Sequence, residues 1–337
     1  MKRVFQATLL MLTVTLINLP LPTMATTLTL DHYQEQSGAI TVHYKGDVVD
    51  PYFAIKALLT AHNTGLDMQE IGQRWIKWLL PFQQINGLFN RYCKQANGEW
   101  TSCKEADADD ALLAMWIEFV YTMSPQTGIP LELQGSIKKA WYQLDQLLDQ
   151  KYGIYHISKD KQVGLLMDNV EIESAFRAIA KEQRRLNDIA GAIVSLRKAR
   201  LLRGNIERTF RPIKSEPYKV STQNIPISEN RFYPQALAQI FPLLHLMGND
   251  QRASRKAFDE WLEFYGAEWL SLTKDHYPWG LVAITARQLD DCKTAQHWLN
   301  RSMHLRHSER WNVLEEAALQ SIQLYMKTAP RSCTLVQ

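Results

Sequence analysis

The strongest constraint on the fold of this chain is an alternation between two kinds of predicted helix. One kind is apolar on nearly every side and follows a loop rich in aromatic, acidic or amide residues, whereas the other is amphipathic. A helix that is apolar all round has to be buried, and an amphipathic helix covers a core from outside. The apolar helices begin near residues 50, 107, 168, 232, 277 and 312. The sequence therefore predicts six buried helices with five amphipathic partners between them.

Repeated helix hairpins of this size form either an open solenoid or a closed ring. An open solenoid usually keeps a regular period, but these helix starts are unevenly spaced and long loops separate some of them. The pattern therefore favours a ring. The buried helices are predicted at 52–62, from 107 onward, at 170–180, 236–247 and 281–287, and up to about 327; their partners are predicted at 68–80, 135–149, 186–203, 252–265 and 292–303.

Six helix pairs with variable loops resemble the six-hairpin glycosidase architecture, an all-α (α/α)6 toroid. In that architecture the inner helices form the barrel wall, and the loops before them build a pocket on one face. The segment Asp107-Ala-Asp-Asp110 is similar to the acidic helix starts of endoglucanases of the family 8 type. Together with Asp168 it also looks like the unsaturated glucuronyl hydrolases. The resemblance covers nearly the whole mature chain but is architectural, and no complete signature of one glycoside hydrolase family is present.

The N-terminus has the features of a secretory signal peptide. Lys2 and Arg3 precede an apolar run to about Leu19, and residues 23–25 supply the small residues of a cleavage region. A permanent membrane anchor is the alternative, but the run is short and polar residues interrupt it. We expect a secreted or periplasmic protein without a stable membrane span. The predicted division is a signal peptide at 1–25, an extended arm at 26–48, the toroid at 49–330 and a tail at 331–337. Within the arm, the alternating residues 40–44 predict a short strand or extended chain.

The charge and the cysteines exclude several other classes of protein. Removing the signal peptide lowers the formal net charge from +3 to about +1, which disfavours a nucleic-acid partner. In an exported protein the four cysteines favour disulfides, and three pairings are possible. The local pair Cys93–Cys103 is the natural one, with Cys292–Cys333 as the second. Metal-ligand spacings, phosphate loops and dinucleotide motifs are absent from the sequence, so we expect no metal and no cofactor.

Five carboxylates at helix starts are the candidate catalytic residues: Asp107, Asp109, Asp110, Asp168 and Glu315. Glycoside cleavage needs two carboxyl groups, one that protonates the leaving oxygen and one that activates water or attacks the sugar. Crowding carboxylates raises at least one pKa, which creates an acid beside a base. The structural alternative is that each of these acids is a helix cap or stabilises a first turn. If the ring closes, the first and last hairpins are neighbours, and these acids are expected to converge at its centre.

Aromatic and amide residues at the same helix starts are the candidate substrate contacts, because aromatic rings in loops can stack on sugars while those on helical stripes pack in the core. The candidates are Asp50, Tyr52, Trp100, Tyr233, Gln235, His276, Tyr277, Trp279, Trp311 and Asn312. Arg91, Arg231, Arg310 and His276 lie at the same expected rim. They would suit an acidic sugar, or they hold carboxylates and carbonyls of the loops.

The leading hypothesis is an exported glycosidase-like hydrolase that acts on a polysaccharide or oligosaccharide. One alternative on the same fold is a polysaccharide lyase or sugar epimerase that uses Tyr233 or Tyr277 with His276. Another is a non-catalytic carbohydrate-binding protein of the cell envelope, which a closed pocket or a single inward carboxylate would favour. The sequence indicates a carbohydrate partner and gives no indication of oligomeric state.

Overall fold

A computed structural model describes residues 26–223, 232–248, 250–271, 273 and 275–328. Within these ranges eleven α-helices alternate between an inner ring and an outer layer. The inner helices are α1 (Pro51–Asn63), α3 (Asp109–Met123), α5 (Leu166–Arg185), α7 (Phe241–Leu244), α9 (Gly280–Gln288) and α11 (Val313–Thr328). The outer helices are α2 (Gln69–Leu79), α4 (Leu131–Gln146), α6 (Ile189–Phe210), α8 (Gln251–Ser271) and α10 (Cys292–Ser302).

The inner helices form a closed ring. Each one packs against the next in chain order, and α11 returns to pack against α1. At this closing contact the hydroxyls of Thr64 and Ser321 lie 2.7 Å apart. The structure therefore confirms the predicted all-α (α/α)6 toroid.

The inner helices are buried because their sequences leave no polar face to turn toward water. Every residue of α3 from Asp110 to Tyr121 is buried, and the aromatic rings of Trp116 and Phe119 are fully enclosed. Burying large apolar side chains contributes roughly 1.5–3 kcal/mol each, so the ring wall is also the hydrophobic core. The acidic side chains at the helix starts are thereby held at the ends of rigid, fully packed elements.

The sixth inner helix, α11, is covered by the N-terminal arm rather than by an outer helix in the described part of the chain. The amide of Thr29 donates to Gln320 Oε1 at 2.9 Å, and the amide of Val313 donates to the carbonyl of Val42 at 2.8 Å. The segment is an extended arm, as predicted, but the short strand offered near 40–44 is not formed. Residues 40 and 43 form isolated bridges only, because the arm crosses helices instead of running along a sheet edge.

The fourth inner element differs most from the prediction. Instead of one helix at 236–247, the chain forms a π-helical turn, Phe232–Ala236, and then the single turn of α7. Pro234 and Pro242 supply no backbone N–H, so a continuous helix would lack hydrogen bonds on both sides of Leu237. Three other boundaries also move: α4 begins at Leu131, α5 begins at Leu166, and α8 continues to Ser271.

A small antiparallel sheet stands at the entrance to α3. Its strands are β1 (Val48–Val49), β2 (Asn90–Lys94) and β3 (Trp100–Glu105), in the order β1-β2-β3. The disulfide Cys93–Cys103 joins β2 to β3, which confirms that local pairing. The predicted partner of Cys292, the signal peptide and the tail at 331–337 lie outside the described residues. None of the helices in the described ranges is long and apolar enough to cross a membrane.

Candidate active site

A cavity of about 340 Å³ opens where the N-terminal ends of the six inner elements meet. Helix N-termini point the positive ends of their dipoles, and their free backbone N–H groups, toward this space. Every inner element contributes to the lining, with Tyr52 from α1, Asp107 before α3, Asp168 from α5, Tyr233 from the π-helical turn, Trp279 before α9 and Leu314 from α11.

Asp168 is the most chemically distinctive group in the lining. It lies in the first turn of α5, where Leu165 holds the N-cap position, so its side chain is not the cap. The side chain is 6% exposed, and its Oδ2 has no hydrogen-bond partner among the described residues. Burial, with a smaller contribution from the neighbouring Glu171, raises the pKa of Asp168 to about 8, although Lys56 opposes the shift. The carboxyl is therefore protonated at neutral pH.

Asp110 lies behind Asp168 in the first turn of α3. It is fully buried, and neither carboxylate oxygen finds a hydrogen-bond partner among the described residues. Burial and the nearby Asp168 hold the pKa of Asp110 well above its usual range, and the amide of Ala111 offsets only part of this effect. Two adjacent carboxyls in one dry site cannot both ionise at low cost. Asp110 and Asp168 therefore form a buried acid pair that retains a proton.

A second pair of carboxylates stands at the rim and is held by one arginine. Arg91 projects from β2, and its Nε donates to Asp50 Oδ2 at 2.6 Å while its Nη2 donates to Asp107. Asp50 also caps α1 by accepting the amide of Tyr52 at 3.0 Å. The side chain of Asp107 is 66% exposed, so it faces both the cavity and the solvent. Of the two roles that the sequence left open for Arg91, the structure shows that it holds carboxylates.

The floor of the cavity is an ion pair that the sequence analysis did not single out. Lys56 is paired with Glu171, and its Nζ also donates to the hydroxyl of Tyr52 at 2.9 Å. That hydroxyl in turn donates to Glu171 Oε1 at 2.9 Å. Both charged side chains are buried; Lys56 interrupts the apolar sequence of α1, whereas Glu171 is one of several charged residues of α5. Beneath this floor is a smaller cavity of about 70 Å³, and Lys56 and Leu281 line both spaces.

An aromatic group forms one wall of the cavity. The ring of Tyr233 stacks on that of Trp279 at 5.2 Å and 8°, and Tyr277 meets Trp279 edge-on at 5.9 Å. Tyr233 is 49% exposed, so the face turned away from Trp279 is available. Burial and the negative charge of neighbouring acids raise the pKa of Tyr233 to about 12. Its hydroxyl is therefore a hydrogen-bond donor throughout the physiological pH range.

Two further predicted residues take part in this wall in different ways. His276 lines the cavity, and its Nε2 lies 2.9 Å from the carbonyl of Glu309, which fixes the ring at the rim. Asn312 is buried and does not itself line the cavity. Its Oδ1 accepts the amide of Leu314 at 2.9 Å, capping α11, and its side chain also hydrogen-bonds to Tyr277.

Two of the predicted catalytic acids are turned away from the cavity. Oε2 of Glu315 accepts the amide of Gly280 at 2.7 Å, so this side chain joins α11 to the start of α9. Burial raises its pKa to about 8. Asp109 occupies the first position of α3 behind the rim, where its amide donates to the carbonyl of Ile157 at 2.7 Å, and burial raises its pKa to about 6. Neither side chain is part of the cavity lining as the described residues define it.

Three of the predicted substrate contacts also lie elsewhere. Trp311 is fully buried and stacks on Trp298 at 5.9 Å, because its place just before a buried helix is also a place in the core. Trp100 packs edge-on against Trp78 on the sheet side of the molecule. Gln235 is half-buried, and its Oε1 has no hydrogen-bond partner in the described part of the chain. These three positions do not contact the space that a ligand would occupy.

The described residues contain no group of three or more His, Cys, Asp or Glu side chains arranged to hold a metal ion. Asp50 and Asp107 are instead paired with Arg91, and Oδ1 of Asp275 accepts the amide of His276 at 2.6 Å. The arrangement offers proton donors and acceptors around an aromatic wall.

The fold and the cavity together define an (α/α)6 toroid with its pocket at the N-terminal ends of the inner helices. A similar solved structure is described as the crystal structure of D-mannose isomerase. It is 11% identical, with a TM-score of 0.53, and the match covers 88% of this chain and 94% of that one. At this identity the likeness shows the fold alone. No protein family model matches the sequence, and no curated protein matches it either.

Proposed function

We propose that this protein is a sugar-acting enzyme, specifically a glycosidase-like hydrolase of a polysaccharide or oligosaccharide, with Asp168 as its general acid. The observation that carries the proposal is a protonated, almost fully buried carboxyl that faces the same open cavity as two carboxylates at its rim. Hydrolysis of a glycosidic bond requires such an unequal pair of carboxyl groups. A cavity with several inward acids also argues against the purely carbohydrate-binding alternative.

In the proposed mechanism Asp168 donates its proton to the leaving glycosidic oxygen. Asp110 assists, because its position beside Asp168 makes ionisation of both groups costly and keeps a proton on the pair. Asp107 acts as the opposing carboxylate, since it lines the cavity and is paired with Arg91 at the rim. A sugar ring stacked on the open face of Tyr233 would present its ring edge to these acids.

The direct test is the variant Asp168→Asn, which keeps the size of the side chain and removes the titratable proton. A panel of polysaccharides and oligosaccharides is first screened for release of reducing ends by the wild-type protein. On any substrate that is cleaved, we expect Asp168→Asn to lower kcat about 10²–10⁴-fold. The matched control is Asp259→Asn, on the outer surface of α8, which should leave the rate unchanged. Full activity in Asp168→Asn would exclude the proposed acid.

An isomerase or epimerase is the second candidate. His276, Tyr233 and Tyr277 line the same cavity, and the similar fold described above is that of a protein named as an isomerase. Such an enzyme would interconvert sugars without a change in mass, whereas hydrolysis adds one water to each bond cleaved. Mass spectrometry combined with chromatographic separation of the products distinguishes the two. Products that absorb as unsaturated uronides would instead indicate a lyase.

Export and domain organisation are also parts of the proposal. The disulfide Cys93–Cys103 supports an oxidising compartment, as expected if residues 1–25 are a cleaved signal peptide and 49–330 form the toroid domain. N-terminal sequencing of the protein recovered from its native cell tests this directly. A mature chain that begins near Thr26 is expected, and recovery of the intact N-terminus from the cytoplasm would contradict it.

A further inference from the structure

We infer that the cavity binds a saccharide that carries a free, positively charged amino group. The inference deepens the proposed function, because it takes the cavity to be the saccharide site. It concerns binding and not the reaction, so it can hold or fail independently of catalysis.

The described part of the lining has an excess of negative charge. Asp50, Asp107 and Asp275 face the cavity, and the described cationic groups that oppose them are Arg91 and Lys56. Lys56 is already paired with the buried Glu171 below the floor, so its charge is largely balanced there. One guanidinium is then shared by two rim carboxylates, while Arg310 lies beside Asp275 and donates to its backbone carbonyl at 3.2 Å.

Two carboxyl groups in this cavity have an oxygen without a hydrogen-bond partner among the described residues. Oδ1 of Asp275 accepts the amide of His276 at 2.6 Å, but its buried Oδ2 accepts nothing. Oδ2 of Asp168 is likewise unpartnered, on a side chain that is 6% exposed. Buried acceptors are normally satisfied, and each exception requires an explanation. A ligand that brings N–H donors into the cavity would satisfy both oxygens.

The arginines that an acidic sugar would require are engaged elsewhere. Arg91 binds Asp50 and Asp107, while Arg310 donates to the carbonyls of His276 and Asp275 at 2.9 and 3.2 Å. A uronate placed in the cavity would therefore meet carboxylates, and the two described rim arginines already have partners; Arg231 lies outside the described residues. An acidic sugar is disfavoured for the same reason that a cationic one is favoured.

The aromatic wall places the cation within reach of these acids. Tyr233 lines the cavity together with Asp107, Asp168 and Asp275. A sugar stacked on the open face of Tyr233 would hold an ammonium substituent between the ring and these acids. Attraction of the ammonium group to the aromatic face adds to its ionic attraction to the carboxylates.

The test measures binding to the wild-type protein by calorimetry, and mass spectrometry after each titration identifies any probe that was cleaved. The probes are tetrasaccharides of glucosamine, N-acetylglucosamine, glucose and galacturonate at one ionic strength. We expect glucosamine to bind at least about tenfold more tightly than the neutral oligomers, and galacturonate most weakly. Adding Asp275→Asn should weaken glucosamine binding about tenfold without changing N-acetylglucosamine binding. Adding Asp259→Asn, far from the cavity, serves as the matched control.

Equal affinity for glucosamine and N-acetylglucosamine, or a preference for galacturonate, would overturn the inference. A protein that bound none of the four probes would also overturn it. Selective binding of glucosamine by a protein that cleaves no glycosidic bond would support the inference and contradict the hydrolase proposal. Cleavage of neutral sugars alone would support the hydrolase proposal and contradict the inference.

Discussion

Three buried carboxyl groups in the ring, those of Asp168, Glu118 and Glu315, have a pKa of about 8 because burial disfavours their charged forms. In the unfolded chain they titrate near 4. Between about pH 4 and pH 8 the folded protein therefore keeps protons that the unfolded chain has released. By linkage, stability is greatest below the unfolded pKa and falls as the pH rises toward 8.

Glu118 provides the clearest test of this linkage, since it faces the lower cavity and has no part in the proposed reaction. Glu118→Gln removes the titration and keeps the shape of the side chain. We expect the variant to match the wild type near pH 4 and to exceed its stability by roughly a few kcal/mol above pH 8. Urea unfolding at both pH values measures the difference. The exposed Glu132→Gln is the control, and a Glu118→Gln advantage that did not depend on pH would contradict the assignment.

The same shift at Asp168 predicts the alkaline limit of activity. Catalysis requires the protonated acid, so kcat/KM on a cleaved substrate should decline as the pH rises through about 8. A pH–rate profile measures this decline, which is the alkaline limb of the profile. Lys56 lowers the pKa of Asp168, and its replacement by Met should move the limb to higher pH. An alkaline limb that stayed in place in Lys56→Met would argue that another group controls it.

At the scale of single elements, apolar character and length were predictable from the sequence, but exact helix starts were not. The apolar stripe identified α3 and α11, because burial on all sides leaves a continuous signal. It failed for the fourth inner element, where two prolines divide an equally apolar segment into short turns. The start of α5 at Leu166 also changed the role of Asp168, from an expected cap to a first-turn side chain facing the cavity.

Two glycines in helices predict opposite effects of the same substitution. A Cβ on Gly280, at the start of α9, would lie 2.7 Å from Ala318 Cβ and 2.7 Å from Glu315 Oε2. Gly280→Ala should destabilise the fold by about 1–3 kcal/mol through overpacking. Gly135, inside the exposed face of α4, meets nothing within 4 Å, and Gly135→Ala should stabilise by about 0.5–1 kcal/mol. Thermal unfolding of both variants checks the pair, and a neutral Gly280→Ala would show that α9 and α11 are less tightly packed.

At the scale of the whole molecule, the sequence predicted that the helix mouths meet, and ring closure brings Tyr52, Asp107 and Asp168 to one cavity. It did not predict which side chains turn inward. Glu315 and Asp168 both occupy first turns, yet one binds the backbone of α9 and the other faces the cavity. That difference depends on packing between neighbouring helices, which a single sequence does not encode locally. Nor did the sequence single out Lys56, because a lone lysine on an apolar helix is indistinguishable from one that reaches solvent.

The disulfide Cys93–Cys103 joins the two strands of the β2–β3 hairpin, and this hairpin carries Arg91 at the entrance of the cavity. Replacing both cysteines by Ala should cost about 3 kcal/mol of stability for a loop of this length. The looser hairpin should also weaken the hold of Arg91 on Asp107. Urea unfolding measures the first effect, and kcat/KM on a cleaved substrate measures the second. Unchanged stability in the double variant would mean that the hairpin is held by its strand pairing alone.

The Lys56–Glu171 floor separates the upper cavity from the smaller one beneath it. A ligand that enters among the helix mouths therefore has to leave by the route it entered. The product and the next substrate molecule would compete for the same cavity entrance. We expect competitive inhibition by product, seen in steady-state kinetics as a rise in apparent KM at constant kcat.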